Sequence, residues 1–172
     1  MMIRNKIWED MKEAKTYQLS CLYYVDKKRK FNRYYNYAII IIASFGAFTF
    51  FINHWCTFGT TIVTFFLEIF KNFVPAMCQP EKELVELDNL ATYYGETSRK
   101  LEELWTKYEL GYYKKEKTTV SKELYNLLND KSENDTKMNR LIHSLSKKED
   151  EKIQDQTDEY LKSKYYGQEN KQ

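Results

Sequence analysis

The sequence predicts an all-α membrane protein, built as a transmembrane hairpin of two spans with an amphipathic helix before it and a cytoplasmic bundle of long helices after it. Three observations lead to this. No charged residue lies between Arg33 and Glu68. Basic residues lie before and after this uncharged stretch but not in the turn at its middle, which is expected to place both of its ends on the cytoplasmic side of a membrane. The segments outside it repeat apolar residues at three- and four-residue steps, which indicates helices.

The two predicted spans are residues 34–52 and 55–73. A helix needs roughly 20 residues to cross the hydrocarbon of a bilayer, and the second span is long enough. The first is long enough only if Tyr34, Tyr35 and Tyr37 are counted as its interfacial end. The alternative is a buried helical hairpin in a soluble protein.

A basic cluster before the first span predicts the orientation. The tight turn between the spans carries no Lys or Arg, so both termini are expected in the cytoplasm. The cluster is expected to contact anionic headgroups, which makes the lipid bilayer a predicted partner. The net charge of +2 is too small to indicate nucleic acid. The cluster consists of Lys27, Lys28, Arg29, Lys30 and Arg33.

Residues 1–33 are predicted to form the amphipathic helix. One interpretation is that this helix lies on the membrane surface, and the other is that it packs against the helices after the second span. Its acidic and basic residues are mixed, which favours packing, because surface-lying helices are usually rich in Lys and Arg. Its apolar face contains Ile3, Ile7, Met11, Ala14, Gln18, Cys21 and Val25.

A polar stripe runs along one side of the second span. Its five residues fall within roughly 80° of arc on a helix. One interpretation is a pore lining that becomes continuous when several copies assemble, because polar groups at membrane depth usually face a bundle interior or a water path. The other is helix packing, in which hydroxyls bond to their own helix or to the first span. The stripe contains Thr57, Thr61, Thr64, Glu68 and Lys71.

Residues 81–166 are predicted to form the cytoplasmic helical region, beginning with a long helix over 81–117. A turn is expected at 132–135, and the tail 167–172 is expected to be disordered. The long helix carries a packing seam whose partner is either within the chain or in a second copy. The seam contains Leu84, Leu87, Ala91, Tyr94, Leu101, Trp105 and Tyr108.

No arrangement of residues indicates catalysis, a metal or a cofactor. His54 and His143 have no further ligands at metal-binding spacing. Cys21, Cys56 and Cys78 form no paired motif, so no disulfide framework is expected. The sequence also lacks the glycine-rich and nucleophile motifs of common enzymes, and a non-enzyme is predicted.

The order of parts resembles a known family. The segment YQLSCLYYVDKKRKFNRYY precedes a two-span hairpin, and LATYYGETSRKLEELW follows it. From about residue 14 to about residue 145 the chain is similar to the SLATT family, the SMODS and SLOG-associating two-transmembrane effector domain.

The resemblance implies a protein of the bacterial inner membrane. It would be a pore-forming effector of an anti-phage system, which assembles as a homo-oligomer when triggered by a sensor, a signal-producing partner protein or a nucleotide. The alternative function is a non-conducting membrane adaptor whose cytoplasmic helices recruit a partner.

Overall fold

A computed structural model describes residues 2–49, 54–73, 79–112 and 117–165, and all the regular structure in these ranges is helical. The chain divides into two compact units, unit 1 with Met1–Tyr24 and Glu86–Gln172, and unit 2 with Val25–Val85. The helices are α1 (Met2–Thr49), α2 (His54–Phe73), α3 (Glu81–Glu109), α4 (Lys117–Leu127), α5 (Lys131–Leu141) and α6 (Lys147–Tyr165).

The prediction of a membrane protein is wrong for the part of the chain that the structure describes. None of its helices is both long and apolar enough to cross a membrane. The expected spans 34–52 and 55–73, and the location in the inner membrane that depended on them, are therefore corrected. The physical reason is that α1 reaches its apolar run only after Tyr and Asn residues, while α2 has threonines, Glu68 and Lys71 among its apolar residues.

Unit 1 is a helical bundle with one main hydrophobic core. The beginning of α1 contributes Ile7 and Met11, which are fully buried. Their burial follows from the four-residue step, which places both on one face of the helix. Ala14 of α1 also belongs to this core, and its remaining members come from α3, α4 and α6, including Leu101, Val120 and Leu161. The amphipathic face predicted for residues 1–33 is thus packed inside the chain over residues 7–14.

Glycine ends α3 earlier than the sequence predicts. Gly111 has φ of 78°, a conformation that side chains with a Cβ rarely adopt. The Tyr112 amide donates to the Lys107 carbonyl at 3.2 Å, and the Gly111 amide donates to the Tyr108 carbonyl at 3.1 Å. These two bonds form a Schellman motif, so α3 stops at Glu109 instead of continuing to residue 117.

A capping box begins α6. The Ser146 amide donates to Glu149 Oε2 at 2.8 Å, and the Glu149 amide donates to Ser146 Oγ at 3.4 Å. The expected turn at 132–135 is wrong, because α5 begins at Lys131 and runs through it. The predicted tail 167–172 lies outside the described residues.

Within unit 2, polar contacts link α1 to α2 and to the start of α3. The Tyr35 hydroxyl donates to the Leu67 carbonyl on α2. Asn32 Nδ2 donates to the Gln79 carbonyl at 2.9 Å, just before α3 begins at Glu81. The Arg29 guanidinium donates to Glu81 Oε1 at 2.8 and 3.0 Å. α1 is therefore attached to both α2 and the start of α3 within this unit.

Candidate functional site

The polar stripe of α2 is not a buried lining. Thr61 and Glu68 are exposed, and Thr64 is half-buried. The Thr64 hydroxyl donates to the Thr60 carbonyl at 2.9 Å, the bond within one helix that the packing interpretation expected. The side chains of Thr57 and Lys71 lie outside the described residues. The pore-lining role therefore stays a prediction.

Large apolar side chains occupy the opposite side of α2. Trp55 is 82% exposed, and three phenylalanines are each exposed by more than 60%. These residues fall within about 100° of arc, on the side away from the half-buried Thr60, Thr64 and Leu67. We call this surface the α2 apolar face, and it consists of Trp55, Phe58, Ile62, Phe65 and Phe66.

α1 also exposes apolar residues within unit 2. Ile40 and Ile41 are each more than half exposed, as are Tyr34 and Tyr37. Monomeric proteins rarely expose contiguous apolar patches of more than a few hundred Å². Unit 2 therefore carries the strongest signal in the described structure for a surface that something else covers.

The basic cluster is partly neutralised within the chain. Arg29 pairs with Glu81 at 2.8 Å, and Lys30 pairs with Asp26 at 2.7 Å, one helical turn before it. Lys27 and Arg33 are exposed, while Lys28 is half-buried. This arrangement offers fewer free charges to an anionic partner than the sequence suggests.

The seam residues of α3 lie inside the chain. The ring of Tyr94 contacts the ring of Tyr17 on α1, with centroids 5.3 Å apart. Leu101 and Trp105 belong to the main core of unit 1. All of the seam residues are buried except Tyr108, which is half-buried: Leu84, Leu87, Ala91, Tyr94, Leu101, Trp105 and Tyr108.

A polar network joins α5 to α1 beside this core. Lys131 forms ion pairs with Glu13 and, at 3.5 Å, with Asp10. The Tyr17 hydroxyl donates to Glu13 Oε1 at 2.8 Å, and the Tyr94 hydroxyl donates to Asp135 at 2.6 Å. We call Asp10, Glu13, Tyr17 and Lys131 the α1–α5 network.

The pKa shifts in the α1–α5 network follow from burial and charge. Burial raises the pKa of Asp10 against the lowering effect of the Lys131 charge. Burial alone would also raise the pKa of Glu13, but hydrogen bonds from Lys131 and Tyr17 outweigh it and lower that pKa. Burial would lower the pKa of Lys131, but its bond to Glu13 and the two carboxylate charges raise it.

A second buried carboxylate lies between α3 and α6. Glu102 accepts a hydrogen bond from the Tyr160 hydroxyl at 3.0 Å and also pairs with Lys164. Burial alone would lower the pKa of Lys164, but the bonds to Glu102 and Tyr160 raise it. Both this cluster and the α1–α5 network connect helices that are distant in sequence, which is a structural role.

Aromatic rings and an ion pair line a cleft at one end of the bundle. Its volume is about 440 Å³. The centroid of the Trp8 ring lies 5.1 Å from that of Trp105 and 5.6 Å from that of Tyr165. Arg4 and Glu109 also line it and form an ion pair of 2.6 Å. The spacing of the seam predicts packing for Trp105 but does not connect it with Trp8 or Tyr165, because three different helices bring these rings together.

No reactive constellation is found in the parts of the chain that are described. Within them, no group of three His, Cys, Asp or Glu residues could hold a metal ion. Cys21 is buried, and burial raises the pKa of its thiol to about 12, which keeps it protonated and unreactive.

No family model, characterised protein or solved structure matches the chain. The resemblance to the SLATT family therefore stays a prediction. The fold defines a helical protein that has a bundle in unit 1 and an exposed apolar face on α2.

Proposed function

We propose that this protein is a non-enzymatic, self-associating helical scaffold whose copies join through the α2 apolar face. One observation supports this above the others. An uncharged side of α2 presents four large aromatic rings to solvent, each more than 60% exposed. Leaving such a surface in water is unfavourable, at roughly 25 cal/mol for each Å² of apolar area.

The size of the face is sufficient for an interface. Aromatic side chains bury about 150–250 Å² each, so four of them at about two-thirds exposure present on the order of 500 Å² per copy. Two copies face to face would bury on the order of 1,000 Å², the lower bound for a specific interface. Ile62 and the exposed Ile40 and Ile41 of α1 add to this area.

A second copy is the occupant that the chemistry favours. The α2 apolar face has no charged member, so it meets itself without repulsion or the burial of a charge. A two-fold interface uses the same patch on both subunits, and it is the commonest arrangement of homo-oligomers. Self-association was also expected from the sequence, although there it was tied to membrane spans.

The permeabilising activity and the membrane adaptor are not part of this proposal. Both presupposed two spans, and that expectation has been corrected. What we retain is assembly of copies, together with recruitment of a partner protein by the bundle of unit 1.

The mass of the particle in detergent-free buffer tests the proposal. We expect sedimentation equilibrium to give a multiple of the chain mass of 20.8 kDa for the unchanged protein. Phe66→Glu should lower this mass towards 20.8 kDa, because it places a charge in the interface. The double variant Phe58→Glu with Phe66→Glu should be fully monomeric.

Tyr125→Glu is the matched control, since Tyr125 is an equally exposed aromatic residue on α4 of unit 1. It should leave the mass unchanged. A mass of 20.8 kDa for the unchanged protein at all concentrations up to about 100 µM would contradict the proposal. So would recovery of the chain only in detergent, because detergent and not a second copy would then cover the face.

A further inference from the structure

The cleft at the end of the bundle has the composition of a site for an organic cation. We call it the aromatic cleft, lined by Trp8, Trp105 and Tyr165 with the Glu109 carboxylate at its edge. Indole and phenol rings attract cations over their faces, and a carboxylate adds a direct charge partner. Within unit 1 these groups come from α1, α3 and α6, so the folded bundle fixes their positions.

A cation from the chain itself already occupies the aromatic cleft. The guanidinium carbon of Arg4 lies 5.1 Å from the centroid of the Trp105 ring. Arg4 Nε donates to Glu109 Oε1 at 2.6 Å. A guanidinium group therefore finds both an aromatic face and a carboxylate here, which identifies the chemistry that the cleft accepts.

We propose that the aromatic cleft is a guanidinium-binding site, and that Arg4 is an internal occupant which an arginine from outside the chain replaces. Guanidinium fits better than ammonium, because it is planar, stacks on rings and donates hydrogen bonds in a fixed fork. This inference concerns unit 1 and does not depend on self-association through α2.

Replacement of Arg4 is energetically accessible. The side chains of Arg4 and Glu109 are both nearly half exposed, so water screens their ion pair. Exposed pairs of this kind contribute little to stability, and the side chain can leave without unfolding α1. The rings are better held, since Trp105 is buried and Trp8 packs against it. The cleft would therefore keep its form when Arg4 leaves.

Binding of N-acetyl-arginine amide to Arg4→Ala tests the proposal. Trp55→Phe is included in every protein, so that tryptophan fluorescence reports only Trp8 and Trp105. We expect saturable binding of this ligand, measured by fluorescence and calorimetry. If Arg4 occupies the cleft about nine-tenths of the time, the ligand should bind Arg4→Ala about tenfold more tightly than the protein that keeps Arg4. N-acetyl-citrulline amide, which has a similar shape without the charge, should not bind.

Two further variants keep the result interpretable. Glu109→Gln in the Arg4→Ala background should weaken binding of the arginine amide several-fold. The side chain of Glu109 is nearly half exposed, so the protein should still fold with glutamine at this position. Arg99→Ala is the matched control, because its pair with Glu103 is also 2.6 Å long but lies along one helix. It should bind no better than the unchanged protein.

The source of the arginine is distinguished by a second ligand. A peptide with one central arginine that binds much more tightly than the free amide indicates a protein partner, and equal affinities indicate a small molecule. The proposal is overturned if Arg4→Ala, folded by circular dichroism, shows no saturable binding of either ligand. It is also overturned if the citrulline analogue binds as tightly as the arginine amide.

Discussion

Lys131 is predicted to stabilise the bundle through charge balance, and Lys131→Met tests this. The Lys131 side chain is 23% exposed and Asp10 is 13% exposed, so both are largely removed from water. Methionine keeps the length and apolar character of the lysine stem but removes the cation. Asp10 and Glu13 would then lose the cation that pairs with both of them, and Lys6 would be left as the cation that still acts on Asp10.

The expected loss lies between two limits. Exposed ion pairs contribute about 0–1 kcal/mol, whereas removing one partner of a buried pair costs about 3–5 kcal/mol. Glu13 is more than a third exposed, which reduces the effect, while the side chain of Asp10 is only 13% exposed. We therefore expect Lys131→Met to lower the free energy of unfolding by about 2 kcal/mol at pH 7.

The loss should depend on pH. Glu13 has a folded-state pKa below its ordinary value of 4.5, so its contribution is present above that pH and is lost as the pH falls through the lowered pKa. The pKa of Asp10 is raised in the folded state, so protonation of Asp10 stabilises the folded state relative to the unfolded state. Both effects make the lysine less important in acid. The difference between Lys131→Met and the unchanged protein should shrink as the pH falls from 4.5, the ordinary pKa of Glu13, through its lowered folded-state pKa.

Urea unfolding followed by tryptophan fluorescence measures the loss. With Trp55→Phe in both proteins, the signal comes from Trp8 and Trp105 in unit 1. For a slope of about 2 kcal/mol/M, the midpoint should fall by about 1 M. Lys137→Met is the control on the same helix, since it removes an exposed pair with Glu133, and it should change stability by less than about 0.5 kcal/mol. Equal effects of the two substitutions, or an effect of Lys131→Met that stays constant as the pH falls from 7 through the carboxylate range, would refute the reasoning.

Two further predictions concern the contact of α1 with α3 and the buried thiol. A Cβ at Gly95 would lie 2.5 Å from Gln18 Nε2, the end of a flexible side chain. Gly95→Ala should thus change the free energy of unfolding in urea by less than about 0.5 kcal/mol. In the Gln18→Ala background only helix propensity acts, and Gly95→Ala should raise the free energy of unfolding by about 1 kcal/mol. Equal effects in both backgrounds would contradict this. With Cys56→Ser and Cys78→Ser, Cys21 should react with a thiol reagent at pH 8 only as fast as the bundle opens, so rapid labelling in native buffer would show that the thiol is not protected.

Periodicity in the sequence predicts much of what is buried. Ile7, Met11 and Ala14 recur at steps of four and three, and all three lie in the core of unit 1. Leu101 and Trp105 of α3 follow the same rule and join them. A repeat of this kind reports which residues share a face of one helix, and a bundle buries the apolar faces of its helices.

The membrane prediction failed for a related reason. An uncharged run shows which residues avoid water but does not show what replaces it. In α2 the exposed aromatic rings gather on one side, and the exposed Thr61 and Glu68 lie off that side. Such a one-sided helix suits a protein partner, whereas a membrane-spanning helix is apolar on most of its surface.

Polar contacts between distant residues left no signal in the sequence. Lys131 and Glu13 are 118 positions apart, and Arg4 and Glu109 are 105 positions apart. Charged residues occur throughout these helices, so nothing in the local pattern selects one pair over another. The α1–α5 network and the aromatic cleft could be found only from coordinates.

The bundle's dependence on both α1 and α6 has a consequence for synthesis. Tyr165 donates to the sulfur of Met11 at 3.8 Å, and Thr16 bonds to Thr157 at 3.3 Å, across 154 and 141 positions. At roughly 5–20 residues per second, α1 leaves the ribosome on the order of ten seconds before α6. During that interval the nascent chain carries Ile7 and Met11 uncovered. Completion of the core must wait for α6, and a chaperone that holds α1 would protect the chain during that interval.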